Sequence, residues 1–231
     1  MTGFILKIIA LITMVLDHIK YAVPVTNCFL TQYFGRLSFP IFAFLTTEGW
    51  GHTRNKKRYI LRMFIFACIS QIPFMMFRSL VADKFLLNIM FTFLFAILGL
   101  WSLDFFENRK ELSNFLKFLI MFCICATILA CGFIIPVDYN WFGIAVVWLF
   151  YILRNNKVAR TITYPILVIL YYLSAYMTNI NAINILSVIF TALPGFIILF
   201  YNGKEGRKMK YFFYTFYPVH MLIVYGLSFL F

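Results

Sequence analysis

The stretch 34–62 reads FGRLSFPIFAFLTTEGWGHTRNKKRYILR, and the rest of the chain follows the same plan. An arginine, Arg36, stands at the start of an apolar segment, and Glu48 stands near the end of that segment. The Gly-Trp-Gly sequence at 49–51 predicts a break, and a run of basic residues follows before the next apolar segment begins. Long apolar segments joined by short charged loops are typical of helical membrane proteins.

The composition of the whole chain supports this interpretation. Of its 231 residues, 63% are hydrophobic and only 12% are charged, and the mean hydropathy is +0.89. A soluble domain of this size could not bury so much apolar surface, so the lipid bilayer is the expected partner. The net charge of +12 would also suit a nucleic-acid-binding protein, but the basic residues cluster in short loops, as the positive-inside rule requires. We therefore expect no nucleic-acid partner.

Cysteine and histidine give no sign of a metal site or of a disulfide framework. The chain has five cysteines and three histidines. Four of the cysteines lie in apolar segments, where a thiol behaves as a small hydrophobic group. Cys123 and Cys125 would point well apart on a helix, which makes them a poor metal or redox pair. We therefore expect no bound metal.

Nine apolar segments predict an all-α polytopic membrane protein, a bundle of about nine transmembrane helices in one domain over residues 1–231. A spanning helix needs about 20 residues, and most of the segments approach that length. The sixth is short and could be tilted or re-entrant. The segments are 4–23, 34–50, 59–77, 85–103, 115–135, 141–153, 161–177, 184–201 and 212–230.

The loops between these segments alternate in charge, and the alternation predicts the orientation of the chain. Because basic loops stay in the cytoplasm, we expect a cytoplasmic N-terminus and a C-terminus outside. The alternation holds only if all nine segments cross the membrane. The loops that concentrate lysine and arginine are 51–58, 104–111, 154–160 and 203–210. The loops with few or none are 24–33, 78–84, 136–140 and 178–183.

Ionisable side chains inside apolar segments are the candidate catalytic residues, because each costs roughly 2.5–3.5 kcal/mol on insertion scales. They are Asp17, His18, Arg36, Glu48 and His220. The side chains of Asp17 and His18 diverge because the residues are adjacent on a helix, so we expect one to face a cavity and the other to meet a partner. A purely structural Asp17–Arg36 ion pair is an equal alternative.

The remaining charges near the membrane have plain structural explanations. Lys7 and Lys20 are expected to reach the inner and outer membrane surfaces with their long side chains. Glu48 lies near the cytoplasmic end of its helix, where it could be solvated or paired with the basic loop. His220, in the sequence YPVH, is either a packed, hydrogen-bonded histidine or a second acid–base group.

The basic run that follows Glu48 is the strongest concentration of charge in the chain. It is either a solvated loop on the cytoplasmic side or an anion-binding site, because guanidinium groups suit phosphates. Arg58 and Arg62 are four residues apart and would share one helix face. The candidate anion-binding residues are His52, Arg54, Asn55, Lys56, Lys57, Arg58 and Arg62.

Three blocks of sequence resemble the TraX family almost from end to end. They are LKIIALITMVLDHIKYA (6–22), GRLSFPIFAFLTTEGWGHTRNKKRYILR (35–62) and FYPVHMLIVYGL (216–227). TraX proteins are similar to transmembrane acetyltransferases and are associated with N-terminal acetylation of conjugative pilin. The resemblance therefore implies a multi-pass protein of the bacterial cytoplasmic (inner) membrane.

The same blocks look like a diverged form of the membrane acyltransferases that acetylate bacterial surface polysaccharides. Those proteins have a histidine in the first helix, a glycine-led aromatic second helix and a basic pair opening the third. Here His18, Gly35 with the run Phe39–Phe44, and Arg58 with Arg62 occupy the similar places.

Two departures from that larger family concern the catalytic histidine and the basic pair. Pro40 stands where the larger family has an aspartate that supports the histidine. The basic pair, Arg58 and Arg62, is separated by three residues instead of two. Asp17 and Glu48 are the candidates for the missing orienting carboxylate.

The resemblance implies acyl transfer across a membrane. Acetyl-CoA, the expected acyl donor, would stay on the cytoplasmic side, bound by the basic run, while the acceptor enters from outside. His18 would act as general base, Arg36 or an amide dipole would stabilise the oxyanion, and His220 is a second candidate for either role. The acceptor is a pilin or peptide amine, or a hydroxyl of a surface glycan.

Two functions of other classes stay open from the sequence. A non-enzymatic protein of surface-structure assembly would not need His18 and Arg36. A small-molecule transporter or channel subunit would show paired internal repeats, and the chain shows none.

Overall fold

The computed structural model describes residues 1–82, 84–107, 109, 111–178 and 184–231, without the side chains of Glu107, Phe133 and Lys210. Almost all of the predicted loop 178–183 lies outside these residues, as do one residue of loop 78–84 and two of loop 104–111. Within the described ranges the chain is helical and has no β-strand, which confirms the predicted all-α class. Short 3₁₀ turns lie at Pro24–Thr26, Phe34–Leu37 and Ile198–Phe200. The α-helices are α1 (Gly3–Ala22), α2 (Phe29–Tyr33), α3 (Ser38–His52), α4 (Lys56–Arg78), α5 (Ile89–Glu107), α6 (Asn114–Ile134), α7 (Asn140–Ile152), α8 (Lys157–Thr178), α9 (Ile185–Ala192), α10 (Pro194–Ile197) and α11 (Lys210–Leu227).

Each of the nine predicted segments coincides with helical structure. Among the helices that the structure describes, four are long and apolar enough to cross a membrane, so the chain is a membrane protein. Crossing by the other segments, and the orientation, stay predictions. α7, the short sixth segment, has 13 residues, which corresponds to about 20 Å at 1.5 Å per residue. The four helices are Lys56–Arg78, Ile89–Phe106, Asn114–Gly132 and Lys157–Met177.

The second predicted segment differs from expectation at both ends. Phe34–Leu37 forms a 3₁₀ turn, and α3 then continues through Gly49 to His52, so the predicted break at 49–51 is wrong. Gly49 serves close packing instead, since a Cβ there would lie 2.7 Å from the Tyr59 hydroxyl. Nine of the 15 side chains of α3 are buried, which makes it a central helix.

The N-terminal residues and the four basic loops meet at one end of the bundle, which we call the basic end. Helix α1 starts there and α3 ends there. The buried side chain of Arg160 interacts with Glu48 of α3 and so joins the 154–160 region to the end of that helix. The other joining contacts are Gly3 N to Lys204 O (2.8 Å), Lys56 Nζ to Asp104 Oδ2 (4.0 Å) and Lys157 Nζ to Tyr201 O (3.1 Å).

Of the loops poor in lysine and arginine that the structure describes, those before α5 and before α7 meet at the opposite end. Leu87, just before α5, donates its N–H to the Pro136 carbonyl at 2.7 Å and accepts from the Asp138 N–H at 3.0 Å. These bonds fix the loop between α6 and α7 against the start of α5. The grouping of these loops agrees with the charge alternation.

Candidate functional site

A cavity of about 730 Å³ extends between the two ends of the bundle along α1, α3, α4 and α11. This volume is in the range of small-molecule sites. At the basic end its wall includes His52 and Glu205, and at the opposite end it includes Arg78 and Tyr139. His18 of α1 lies in the wall between them. The arrangement allows two molecules to approach one side chain from different ends.

His18 is held by a second histidine from the far end of the sequence. Its Nδ1 lies 2.8 Å from Nε2 of His220 on α11, and the two rings stack with centroids 5.1 Å apart. His220 is buried, with 4% of its surface exposed, and its Nδ1 lies 3.0 Å from the carbonyl oxygen of Phe216. Phe77 of α4 packs against the other side at 4.7 Å from the His18 ring.

The hydrogen bonds of this pair determine where the protons lie. A carbonyl oxygen only accepts, so the bond to Phe216 requires the proton on Nδ1 of His220. In the neutral ring Nε2 of His220 is then an acceptor, and Nδ1–H of His18 donates to it. The remaining nitrogen of His18, Nε2, therefore carries a lone pair, and none of the described hydrogen bonds occupies it. A neutral imidazole with a free lone pair in a cavity is a base.

Asp17 also lines the cavity, but it does not pair with Arg36 as one alternative expected. Its Oδ1 accepts from Lys20 Nζ at 2.7 Å, and 11% of the Lys20 side chain is exposed. Arg36 donates from Nη1 to the Tyr172 hydroxyl at 3.2 Å, away from the cavity wall. The Asp17–Arg36 ion pair is therefore absent from the structure.

The close approach of α1 to the 3₁₀ turn explains why a glycine precedes Arg36. A Cβ on Gly35 would lie only 2.4 Å from the Cβ of Asp17. Only a residue without a side chain fits there, and the contact brings the carboxylate of Asp17 to the cavity wall.

Glu48 lines the cavity at the basic end, some distance along the chain from His18. Its Oε2 lies 3.5 Å from Nε2 of His52, whose side chain is 73% exposed. Arg160, 3% exposed and stacked over the Phe44 ring at 4.8 Å, interacts electrostatically with Glu48. Neither Glu48 nor Asp17 bonds to His18; its hydrogen-bond partner is His220.

The structure separates the seven residues of the basic run. Only His52 and Arg62 line the cavity. The Asn55 side chain caps α4 by accepting from the Arg58 N–H at 2.9 Å. Lys56 Nζ donates to the Trp50 carbonyl and lies 4.1 Å from the centroid of the Trp50 ring. These contacts fix the start of α4 against the end of α3. The remaining side chains are exposed at the surface and do not line the cavity; they are those of Arg54, Lys57 and Arg58.

Two residues of the opposite end were missed by sequence reasoning. Asp138 and Tyr139 enter the cavity wall from the loop between α6 and α7. Tyr139 and Asn140 have positive φ angles of 61° and 46°, a conformation that is uncommon outside glycine and often marks a functional site. Thr92 donates to the Asp138 carbonyl at 2.7 Å and holds the loop. The signal in the sequence was an aspartate and an asparagine in the five-residue predicted loop 136–140, which has no lysine or arginine.

The environment of Asp138 favours its protonated form. Burial raises the pKa of this carboxyl to about 6. The positive charge of Arg78 acts to lower this pKa, and the negative charge of Asp17 acts to raise it. The opposite end of the cavity therefore holds two interacting carboxyl groups and an arginine whose Nε is buried without a partner among the described residues. This is a polar surface suited to binding hydrogen-bonding groups.

Comparison with known proteins identifies the family of the chain. The family described as TraX protein matches residues 2–228. The "Probable fimbrial assembly protein FimC" of Dichelobacter nodosus is 30% identical over 243 residues, which cover 96% of this chain and 94% of that protein. No solved structure matches. The chain, matched over almost its whole length, belongs to the TraX family.

Proposed function

We propose that this protein is a membrane acyltransferase that moves an acetyl group from acetyl-CoA to an acceptor on the other side of the membrane. The observation that carries the proposal is the histidine pair, since it leaves a basic nitrogen of His18 in a cavity that extends toward both ends of the bundle. The donor enters at the basic end, taken as cytoplasmic, and the acceptor enters at the opposite end.

The reaction follows from the proton positions in the pair. Nε2 of His18 takes the proton of the acceptor hydroxyl or amine while the acceptor oxygen or nitrogen attacks the thioester carbonyl carbon. A new C–O or C–N bond forms, and the C–S bond then breaks. His18 returns the proton to the departing sulfur, so CoA leaves as the free thiol and the histidine is regenerated.

His220 acts as a positioning residue in this scheme. It holds the His18 ring in one orientation and in one tautomer, the task that a carboxylate performs in Ser-His-Asp sites. Because His220 is neutral, the pair needs no buried charge and no counter-ion.

Tyr217, one turn before His220, is the candidate donor to the oxyanion that forms on the carbonyl oxygen. It lines the cavity, and its ring lies 5.6 Å from that of His220. Arg36, proposed from the sequence for this role, points to Tyr172 and lies outside the cavity wall.

The name of the relative favours an acceptor in a surface filament, and it also favours the second candidate function. A probable fimbrial assembly protein fits an enzyme that acetylates a pilin or peptide amine, or a glycan attached to a surface structure. It fits equally a non-enzymatic assembly partner. The two functions differ in whether the basic nitrogen of His18 is required.

The test is acetyl transfer by purified protein in lipid nanodiscs with radiolabelled acetyl-CoA and membrane extract as the source of acceptors. His18→Ala is expected to lower the transfer rate by about 10²–10⁴, the usual contribution of a general base. Thr13→Val is the matched control on α1, because the Thr13 hydroxyl bonds only to carbonyls of its own helix. A folded His18→Ala protein that transfers acetyl groups at the normal rate would leave the assembly role as the function.

A further inference from the structure

Lys7 is directed into the cavity rather than toward the membrane surface expected for it. Its side chain lines the wall at the basic end, and its Nζ lies 5.1 Å from the centroid of the Phe213 ring on α11. Its charge interacts with Glu205, which lines the same part of the cavity. A lysine that reached for lipid headgroups would leave the bundle, whereas this one brings an ammonium group into the cavity.

Arg62 brings a second cation to the same end from α4. Its side chain lines the cavity, and its guanidinium carbon lies 5.7 Å from the Tyr59 ring. Its Nε is buried and has no hydrogen-bond partner among the described residues. A buried donor without a partner is unfavourable, and an anion beside the guanidinium group would relieve this by a bidentate contact.

The two cations lie on either side of one turn of α11. Phe213 contacts Lys7, and the next residue, Tyr214, interacts with Arg62. Three helices therefore surround the cations, whereas the side chains of Arg54, Lys57 and Arg58 are exposed at the surface. A preorganised pair of donors binds an anion better than mobile ones because less side-chain entropy is lost.

We infer that Lys7 and Arg62 form the phosphate-binding site for the donor, an inference that rests on the proposed acyltransferase function. The phosphate replaces Glu205 as the partner of Lys7 and pairs with the guanidinium group of Arg62. The exposed cations of the basic run attract the anionic donor by their field and do not hold it.

The distance from this site to His18 fits the donor. Lys7 and His18 are 11 residues apart on α1, which corresponds to about 16 Å at 1.5 Å per residue. The pantetheine arm of CoA has about 12 single bonds between its pyrophosphate and its sulfur, which extend about 14 Å at the 3.3–3.6 Å per three bonds of an extended chain. An extended arm therefore covers most of the rise along α1 between Lys7 and His18.

The test measures ligand binding to the full-length protein in nanodiscs by thermal stabilisation, since a ligand of the folded state raises its melting temperature. The ligands are CoA, 3′,5′-ADP, inorganic phosphate and pantetheine, which lacks phosphate. Lys7→Gln and Arg62→Gln are each expected to weaken CoA binding about tenfold or more, as for the loss of a charge-assisted hydrogen bond. Binding of pantetheine should be unchanged.

The controls are Lys57→Gln and Arg58→Gln, which remove exposed cations from the same end of the bundle. At high salt the electrostatic field of these side chains is screened, so each variant should change CoA binding less than threefold. If these variants lose CoA as strongly as Lys7→Gln, the loop holds the phosphates and the inference is wrong. If CoA does not stabilise the wild-type protein at all, the proposed function itself fails.

Two further outcomes are distinguished by the same assay. Phosphate on a lipid headgroup has the same chemistry, so stabilisation by phosphatidylglycerol in place of CoA would assign the site to lipid and overturn the inference. If Lys7→Gln does not fold, an amine-modifying reagent applied to the wild-type protein serves instead. CoA is expected to protect Lys7 and not Lys57 from modification, and equal labelling with and without CoA would refute the inference.

Discussion

Replacing His220 by phenylalanine removes the acceptor of the His18 Nδ1–H bond while keeping a planar ring against Phe216. Two responses are open to His18. It can keep its proton on Nδ1, now without a partner in apolar surroundings, or it can move the proton to Nε2 and lose the basic nitrogen in the cavity. The first form is still reactive, but its unsatisfied donor raises its energy, so the second, unreactive form gains population.

The size of the effect follows from the hydrogen bond that is lost. An unsatisfied buried donor costs about 1–3 kcal/mol. Because each 1.36 kcal/mol is a factor of ten in rate, kcat is expected to fall by roughly tenfold to a hundredfold. The KM for acetyl-CoA should stay within about twofold, because His220 lies behind His18 and outside the cavity wall.

His220→Gln separates positioning from simple packing. The glutamine Oε1 can accept from Nδ1–H of His18 in the place of the imidazole nitrogen, so kcat is expected to recover most of the loss. Both variants are compared by steady-state acetyl transfer, with melting temperatures to show that they fold. The reasoning fails if His220→Phe keeps the normal kcat, or if the phenylalanine and glutamine variants lose kcat equally.

Two further predictions concern the walls of the cavity. Gly35→Ala should lower the free energy of unfolding by about 1–3 kcal/mol, since its Cβ would meet that of Asp17 at 2.4 Å. Gly51→Ala is the control and should not lower the free energy of unfolding, because no atom lies within 4 Å of the new Cβ. Equal melting temperatures of the two variants would contradict the close packing at Gly35. For Asp138, the folded-state pKa of about 6 exceeds the ordinary 3.8, so the contribution of this group to stability is present below pH 3.8 and is lost as the pH rises through 6. The loss is about 3 kcal/mol, and Asp138→Asn should remove this pH dependence in thermal melts from pH 4 to 7, whereas an unchanged profile would show that Asp138 is not its source.

The helices could be predicted from the sequence because apolar runs between charged loops leave few other arrangements. Asp17, His18 and Glu48 were found because ionisable groups are rare in such runs, and all three reach the cavity wall. Arg36 has the same signal in the sequence, yet it bonds to Tyr172. The sequence shows which residues are unusual, and only the packing of the helices shows which way they point.

The parts of the site that could not be predicted depend on distant contacts or on loop geometry. His18 and His220 are 202 residues apart, and their bond exists because α1 and α11 pack side by side. Asp138 reaches the cavity because two residues after it adopt positive φ angles, which no hydrophobic period reveals. Lys7 looked like an anchor in the membrane surface because a lysine near a helix end has that role more often.

In the proposed mechanism, the histidine pair takes the place of the supporting aspartate that the similar acyltransferases have where this chain has Pro40. A carboxylate beside His18 would place a charge among apolar helices, and that charge would need its own partners. A second imidazole fixes the tautomer of the first with no net charge, and it takes its own orientation from a backbone carbonyl that α11 already presents. The cost is that the pair works only while the His220 ring is neutral, since a proton added to its Nε2 would turn the acceptor into a donor. Apolar surroundings keep that ring neutral, and the rings of Phe77 beside His18 and Phe216 beside His220 supply them.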